Sequence, residues 1–247
     1  MSNFWASVSC EPVLTEAGNA EWVAVRGRCA GISYEGAVVF MDIERQLPIV
    51  VGITGASGAV YAHRLLEVLI QAERRVQLTI SRSGQTLLQQ ELGLDVDLDR
   101  FSAADLELGV DNGSLRHIQY YHFDNYCSAP ASGSARTAGM VVCPCSGGTL
   151  SAVANGSSTT LVQRAADVHL KERRKLVLVL RETPVSLSYV ENMHRVCRAG
   201  AVVLPAAPGW YHGVEKVGDL IDFVVARILD QLQVEHSLMS RWGEGFS

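Results

Sequence analysis

Charge is scarce in this sequence. Asp, Glu, Lys and Arg supply 19% of the 247 residues, below the roughly 25% of ordinary soluble domains. A chain with few charges exposes apolar surface, and further copies of itself are the natural cover, so a homo-oligomer is expected. The charge present sums to −5, which argues against nucleic acid as a partner. Long apolar runs are missing too; none reaches the roughly 18 residues of a membrane span. No C-x-x-C occurs among the six cysteines, so neither a disulfide framework nor a paired zinc site is expected. Cys143-Pro144-Cys145 has no second ligand pair to complete such a site. Reduced thiols and a cytoplasmic setting follow. H-E-x-x-H, G-x-S-x-G and D-D-x-x-D are all absent, which removes the usual marks of a zinc protease, a serine hydrolase and magnesium-dependent diphosphate chemistry. Asp95, Asp97 and Asp99 lack the glycine of a calcium loop and read as solvated. No metal is expected.

Residues 1–47 differ from the rest. They hold no long periodic segment, and Trp22-Val-Ala-Val followed by Gly27 and Gly31 suggests at most a short hairpin. They carry no basic start with an apolar block, and Glu11, Glu16 and Glu21 outweigh the local basic residues, so neither a signal nor a transit peptide is expected. Met41 stands just before the first strong strand and is a candidate start. The expectation is a weakly structured, dispensable extension over 1–47 and one domain over 48–247.

From Pro48 the pattern is regular. Apolar runs at 49–53, 76–80, 140–143, 176–180 and 201–204, with a weaker one at 118–123, read as strands apolar on both faces. Helical patterns lie between and after them at 60–73, 85–92, 149–155, 161–174, 186–199 and 217–233. Such alternation predicts an α/β fold: a three-layer, doubly wound, mostly parallel sheet of Rossmann or flavodoxin-like kind, with helices on both faces. Ligands in such folds gather beyond the carboxyl ends of the strands.

After the first strand comes Gly52-Ile-Thr-Gly-Ala-Ser-Gly58, opening a helix. Gly55 and Gly58 allow close backbone approach, the helix start offers unpaired amides, and Ser57 adds a hydroxyl. The spacing is not G-x-G-x-x-G, and Ser81 rather than an acidic residue ends the second strand. A mononucleotide or flavin phosphate therefore fits better than a dinucleotide. Pro144-Cys-Ser-Gly-Gly-Thr149 forms a second small-residue loop, with Ser146, Thr149 and the amides of Gly147 and Gly148 as a further cradle. Arg181-Glu182 directly follows an apolar strand and joins a phosphate-gripping cation to a proton-handling carboxylate. Lys171-Glu-Arg-Arg-Lys175 reads on pattern as a solvated helix end, and Arg164 stands seven residues before Lys171. Tyr211 lies in a proline-stiffened aromatic loop, and Arg227 interrupts an apolar helix, as either a surface residue or a pocket cation.

With these blocks assembled, the chain resembles the flavin prenyltransferases of the UbiX type from about Pro48 to Trp242. The likeness rests on Gly-Ile-Thr-Gly-Ala-Ser-Gly, Pro-Ala-Ser-Gly-Ser at 130–134, Pro-Cys-Ser-Gly-Gly-Thr-Leu, Arg-Ala-Ala-Asp-Val at 164–168, Leu-Lys-Glu-Arg-Arg, Arg-Glu-Thr-Pro and the closing Arg-Trp-Gly. The resemblance implies transfer of a dimethylallyl group from dimethylallyl monophosphate to N5 and C6 of reduced FMN, without metal. The product, prenylated FMN, would serve a UbiD-type decarboxylase, as in ubiquinone biosynthesis. Position by position it implies that Gly55, Ala56, Ser57, Ser81, Ser146, Gly147, Gly148, Thr149 and Arg164 hold FMN. It places Lys171, Arg181, Glu182, Tyr211 and Arg227 at the prenyl phosphate, and Ser57, Glu91 and Trp242 at the reacting edge. It also implies a homo-oligomer, commonly a dodecamer, with sites shared between protomers.

The implied chemistry is coherent. Cleaving the carbon–oxygen bond leaves an allyl cation and a phosphate, which Lys171, Arg181 and Arg227 stabilise while Glu182 manages its protonation. Trp242 can face the cation with its ring, and Ser57 can relay a proton. Two rivals share the fold. A flavin-dependent cysteine decarboxylase would need Pro-Ala-Ser-Ala-Asn and Pro-x-Met-Asn motifs that this sequence lacks. A non-catalytic FMN carrier would have no use for a second phosphate site.

Overall fold

The computed structural model describes residues 11–14, 20–23, 47–211 and 213–239. The chain divides into two units, Met1–Glu44 and Arg45–Ser247. In the first, β1 (Glu11–Leu14) pairs antiparallel with β2 (Ala20–Val23), Glu11 opposite Val23 and Leu14 opposite Ala20. Trp22 thus lies in a hairpin whose partner strand is upstream, whereas the expected turn was downstream, at Gly27 and Gly31. Gly27, Gly31 and Met41 lie outside the described residues.

The second unit carries a six-stranded sheet. In chain order its strands are β3 (Ile49–Ile53), β4 (Val76–Ile80), β5 (Ile118–Tyr120), β6 (Gly139–Cys145), β7 (Leu176–Leu180) and β8 (Val202–Pro205). They lie in the order β5-β4-β3-β6-β7-β8, and every pair is parallel. Among the described residues six α-helices alternate with or follow them: α1 (Ala59–Gln71), α2 (Arg82–Leu92), α3 (Gly147–Ala154), α4 (Leu161–Lys171), α5 (Leu187–Ala199) and α6 (Val217–Gln231). The strands are apolar on both sides because both sides are covered. Ile49, Val51 and Ile53 join the core packed by α1, α2 and α6, while Val50, Met140 and Val142 join the core packed by α3, α4 and α5. Arg64 of α1 clamps Asp222 of α6 with two hydrogen bonds, 2.7 and 3.2 Å.

Three expected helices end early, among them that over 217–233, which stops at Gln231 and closes with Gln233 at φ 56° and the Val234 amide on the Leu229 carbonyl. The pattern over 60–73 stops at Gln71 and that over 161–174 stops at Lys171. Glu73 and Arg173 adopt positive φ, 53° and 54°, and the following amides turn back to the helix, Arg74 to the Leu69 carbonyl and Arg174 to that of His169. These are helix-closing turns built without the glycine that usually marks them. Residues 121–123, expected to extend the weak strand, lie beyond its end at Tyr120, although the Tyr121 amide still donates to the Leu78 carbonyl of β4 at 2.8 Å.

The chain returns from the β5 edge to lay β6 beside β3. That reversal of winding opens a crevice between the ends of β3 and β6, the place where doubly wound sheets hold ligands. Both glycine–hydroxyl loops emerge there.

Candidate active site

One threonine joins the two loops. Thr54, almost wholly buried, donates from Oγ1 to the Pro144 carbonyl at 2.8 Å and accepts the Ser146 amide on the same oxygen at 2.8 Å. The Thr54 amide also donates to Pro144, at 3.2 Å. Ser146 caps α3, its Oγ accepting the Thr149 amide at 3.2 Å and donating to Thr149 Oγ1 at 3.0 Å. The amides of Gly147 and Gly148 belong to the first turn of that helix, where no carbonyl within the helix can receive them. The second loop is therefore a fixed cradle of donors.

The first loop departs from the expectation. The Gly58 and Ala59 amides at the start of α1 are not open to a ligand. They donate to Glu91 Oε2 of α2, at 2.9 and 2.8 Å. Partial burial works to raise the Glu91 pKa, but the Ser57 side-chain hydrogen bond, these two amides and Arg181 outweigh it and hold the carboxyl below its ordinary range. Gly55, read as making room for a ligand, makes room for protein: a Cβ there would stand 2.4 Å from Cβ of Ser83. Ser81 caps α2, accepting the Gly84 amide at 3.1 Å, and its own amide donates to the Ile53 carbonyl. Ala56 bonds back to Thr54.

Arg181 leaves the end of β7 and donates from Nε to the Ser57 carbonyl at 3.2 Å. This links the charged turn to the first loop and puts Ser57, Glu91 and Arg181 in one cluster. Glu182 is exposed and accepts the Thr183 amide at 3.2 Å. The neighbouring thiols take no part. Cys143 packs into one core and Cys145 into the other, on opposite faces of the sheet, so they cannot share an ion. Burial raises both thiols far above the usual range.

Gly148 supplies a further sign of a ligand. A Cβ there would meet nothing within 4 Å, although glycine inside a helix costs about 1 kcal/mol against alanine. Among the described residues nothing requires that position to be bare. A flat group resting on the first turn of α3 would.

The profile of the family described as Flavoprotein matches residues 41–229. A curated relative, the flavin prenyltransferase UbiX of Pseudomonas aeruginosa, is 45% identical over 79% of this chain and 94% of its own length. The chain belongs to the UbiX-type flavin prenyltransferase family. Among solved structures, AnUbiX in complex with FMN and dimethylallyl pyrophosphate is similar with a TM-score of 0.69 and 34% identity, covering 81% of this chain and 98% of its own. A dodecameric FMN-dependent UbiX-like decarboxylase from Escherichia coli O157:H7 gives a TM-score of 0.67 and 37% identity over 77% of this chain and 97% of its own. The residues at the crevice fit an FMN: amide donors, the Ser146 and Thr149 hydroxyls, and the bare helix turn at Gly148.

Of the other candidate residues, Lys171 stands apart from this cluster within one chain. Lys171 ends α4, before β7 begins, and pairs with Glu172 at 2.5 Å. Arg181 follows β7, so the five residues of that strand separate them, about 16 Å at 3.3 Å per residue. Arg164, two turns before Lys171, donates to the Ala131 carbonyl and to Asp167, each at 3.3 Å. Tyr211 and Arg227 lie along α6: the Tyr211 ring meets Phe223 edge-on at 5.8 Å, and Arg227 is one turn further along that face. Arg227 is half exposed and bonded to Asp230 at 2.7 Å. Trp242 lies outside the described residues.

Three residues of the site escape the sequence reading. Thr54 sits inside the first motif, and only the pairing of β3 with β6 shows that its hydroxyl serves the second loop. Tyr61 and Tyr189 look like ordinary apolar positions of helices. The fold brings both close enough to Arg181 for its charge to act on their hydroxyls.

Proposed function

We propose that this chain transfers a dimethylallyl group from dimethylallyl monophosphate to reduced FMN, giving prenylated FMN. The observation that carries this reading is the joining of two glycine–hydroxyl loops through Thr54 at the crevice, with the Arg181–Glu182 turn tied to the first loop at Ser57. A cradle for one phosphate-bearing ligand and a guanidinium for another stand side by side.

The roles follow from chemistry and position. Ser146, Gly147, Gly148 and Thr149 hold the flavin nucleotide, with Gly55, Ala56 and Ser81 shaping the other wall and Arg164 reaching its phosphate. The flavin supplies the nucleophilic atoms that accept the prenyl carbon. Arg181 neutralises the charge that builds on the departing phosphate, and Glu182 holds or gives its proton. Ser57, bonded to the ionised Glu91, relays the proton lost at the reacting edge. Trp242 supplies the aromatic ring that stabilises the allyl cation.

Lys171, Tyr211 and Arg227 complete the phosphate site from neighbouring copies in a homo-oligomer, a dodecamer in this reading. Leu187, Trp210 and Val217 are each more than 70% exposed in the single chain, apolar surface that further copies would cover. Among the described residues no helix is long and apolar enough to cross a membrane; the reading places the protein in the cytoplasm, passing its product to a UbiD-type decarboxylase. Residues 48–247 carry the reaction, and retained FMN binding after deletion of 1–40 would support that division.

The deciding experiment is anaerobic incubation of the protein with reduced FMN and dimethylallyl monophosphate, with the pyrophosphate in a parallel arm. Mass spectrometry is expected to show the flavin heavier by one C5 unit. Unchanged flavin in both arms, despite bound FMN, would overturn the reading in favour of a carrier.

A further inference from the structure

Tyr189, in the first turn of α5, is 8% exposed, and its enclosed hydroxyl has no hydrogen-bond partner among the described residues. Its ring lies against the second loop, so close that a Cβ on Gly147 would stand 3.2 Å from Cε2. An unpaired buried hydroxyl is destabilising, and phenylalanine would fill the same space without that penalty. Burial above all, then Cys145 and Glu182, push the hydroxyl up to about 12 against the pull of Arg181. It therefore stays protonated near neutrality, and its hydrogen needs an acceptor.

Three ionisable neighbours act on it: Cys145 from β6, and Arg181 and Glu182 from the turn after β7. Arg181 has no acceptor atom. The Cys145 thiol is fully buried, keeps its proton, and is turned to the Ser146 carbonyl at 3.7 Å. Glu182 alone of the three offers a carboxylate, and its recorded partner is the amide of the next residue, Thr183, in an exposed turn.

We propose that Tyr189 is a positioning residue for the reaction: when ligands fill the crevice, the Glu182 carboxylate leaves the Thr183 amide and accepts the Tyr189 hydroxyl. The inference rests on the prenyltransferase reading. The pairing holds Glu182 at one place beside Arg181, where it handles the proton of the departing phosphate.

The test is a double-mutant cycle of Tyr189→Phe and Glu182→Gln. Tyr189→Phe retains the ring and is expected to fold with an unchanged or higher melting midpoint when ligand-free. Its kcat is expected to fall about tenfold, the loss of one hydrogen bond to a charged group, with KM for FMN within about twofold of wild type. In the Glu182→Gln background the same change is expected to have no further effect on kcat. A second readout needs no turnover: FMN with inorganic phosphate should raise the melting midpoint less in Tyr189→Phe than in wild type, and the two changes should again be non-additive. Additive effects in both measurements, or a Tyr189→Phe protein equal to wild type in both, would overturn the pairing. A wild type that leaves FMN unmodified while the midpoints remain coupled would instead overturn the prenyltransferase reading and leave the pairing standing.

Discussion

The Glu91 carboxylate accepts the Gly58 amide at 2.9 Å, reaching from the end of α2 to the start of α1. Its second bond, to Ala59 at 2.8 Å, makes it a cap supplied from a distance, with negative charge at the positive end of the helix dipole. The same carboxylate is bonded by Ser57, so the cap also fixes the residue that would relay the proton. Glu91→Ala is expected to lower unfolding stability by about 1 kcal/mol, a typical cap loss for an exposed side chain. Its folded pKa is depressed, so this contribution is complete above the ordinary glutamate range and disappears as pH falls through the lower folded value. Denaturant unfolding at pH 7 and pH 3 checks both parts; an equal wild-type-to-variant gap at the two values would contradict the assignment.

The sheet was legible because its strands are apolar on both faces, a pattern that only helices on both sides explain. The first loop was legible as a turn, but not in its partners. That Glu91 fills the start of α1 depends on how α2 packs back onto it, and no local pattern records a contact made 33 residues away. Thr54 was hidden for the same reason, its two partners lying 90 and 92 residues on. Helix ends at Gln71 and Lys171 escaped because charged residues, not glycine, take the left-handed position after them. Arg181 was visible from its place after a strand. Lys171 was legible only through family resemblance, since its position in one chain is that of a solvated helix end.

Gly148 separates binding from stability. With open space above it, alanine there costs nothing sterically in the ligand-free protein and favours the helix. Gly148→Ala is expected to raise ligand-free stability by about 0.5–1 kcal/mol and to weaken FMN binding by roughly tenfold or more, since the added methyl fills the place of the ring. Melting curves and fluorescence titration with FMN check the two signs. Unaltered FMN affinity would remove Gly148 from the cradle.

Lys171 and Arg181 are separated by the length of β7 within one chain, so they can serve one phosphate only across a subunit boundary. Lys171→Ala and Arg181→Ala are each expected to abolish most turnover. Subunits of the two variants, unfolded together and reassembled in equal amounts, are expected to recover about a quarter of wild-type activity, the share of shared sites that draw both intact residues at random. Mixing without recovery, although the reassembled particle has the native size by light scattering, would confine each site to one chain.

His169 of α4 is almost wholly buried. Its Nδ1 lies 2.7 Å from the Ala165 carbonyl, which can only accept, so that nitrogen carries the hydrogen and Nε2 accepts the Thr137 hydroxyl at 2.8 Å. A second ring proton would reverse the Thr137 bond, Nε2 then donating to Oγ1, and would leave a positive charge in the core. Burial, partly offset by the Ala165 carbonyl and reinforced by Arg174, holds the pKa at about 4 against 6.5 when unfolded. Between those values the unfolded chain binds the additional proton, so stability is complete above pH 6.5 and falls as pH drops towards 4, by roughly 3 kcal/mol in total at 1.36 kcal/mol per unit. His169→Gln, which cannot titrate, is expected to be less stable than wild type at pH 7 through lost hydrogen bonds, yet to show a shallower decline over that window. Denaturant unfolding at half-unit pH steps measures it, and parallel curves for the two proteins would show that another group governs the acid limb.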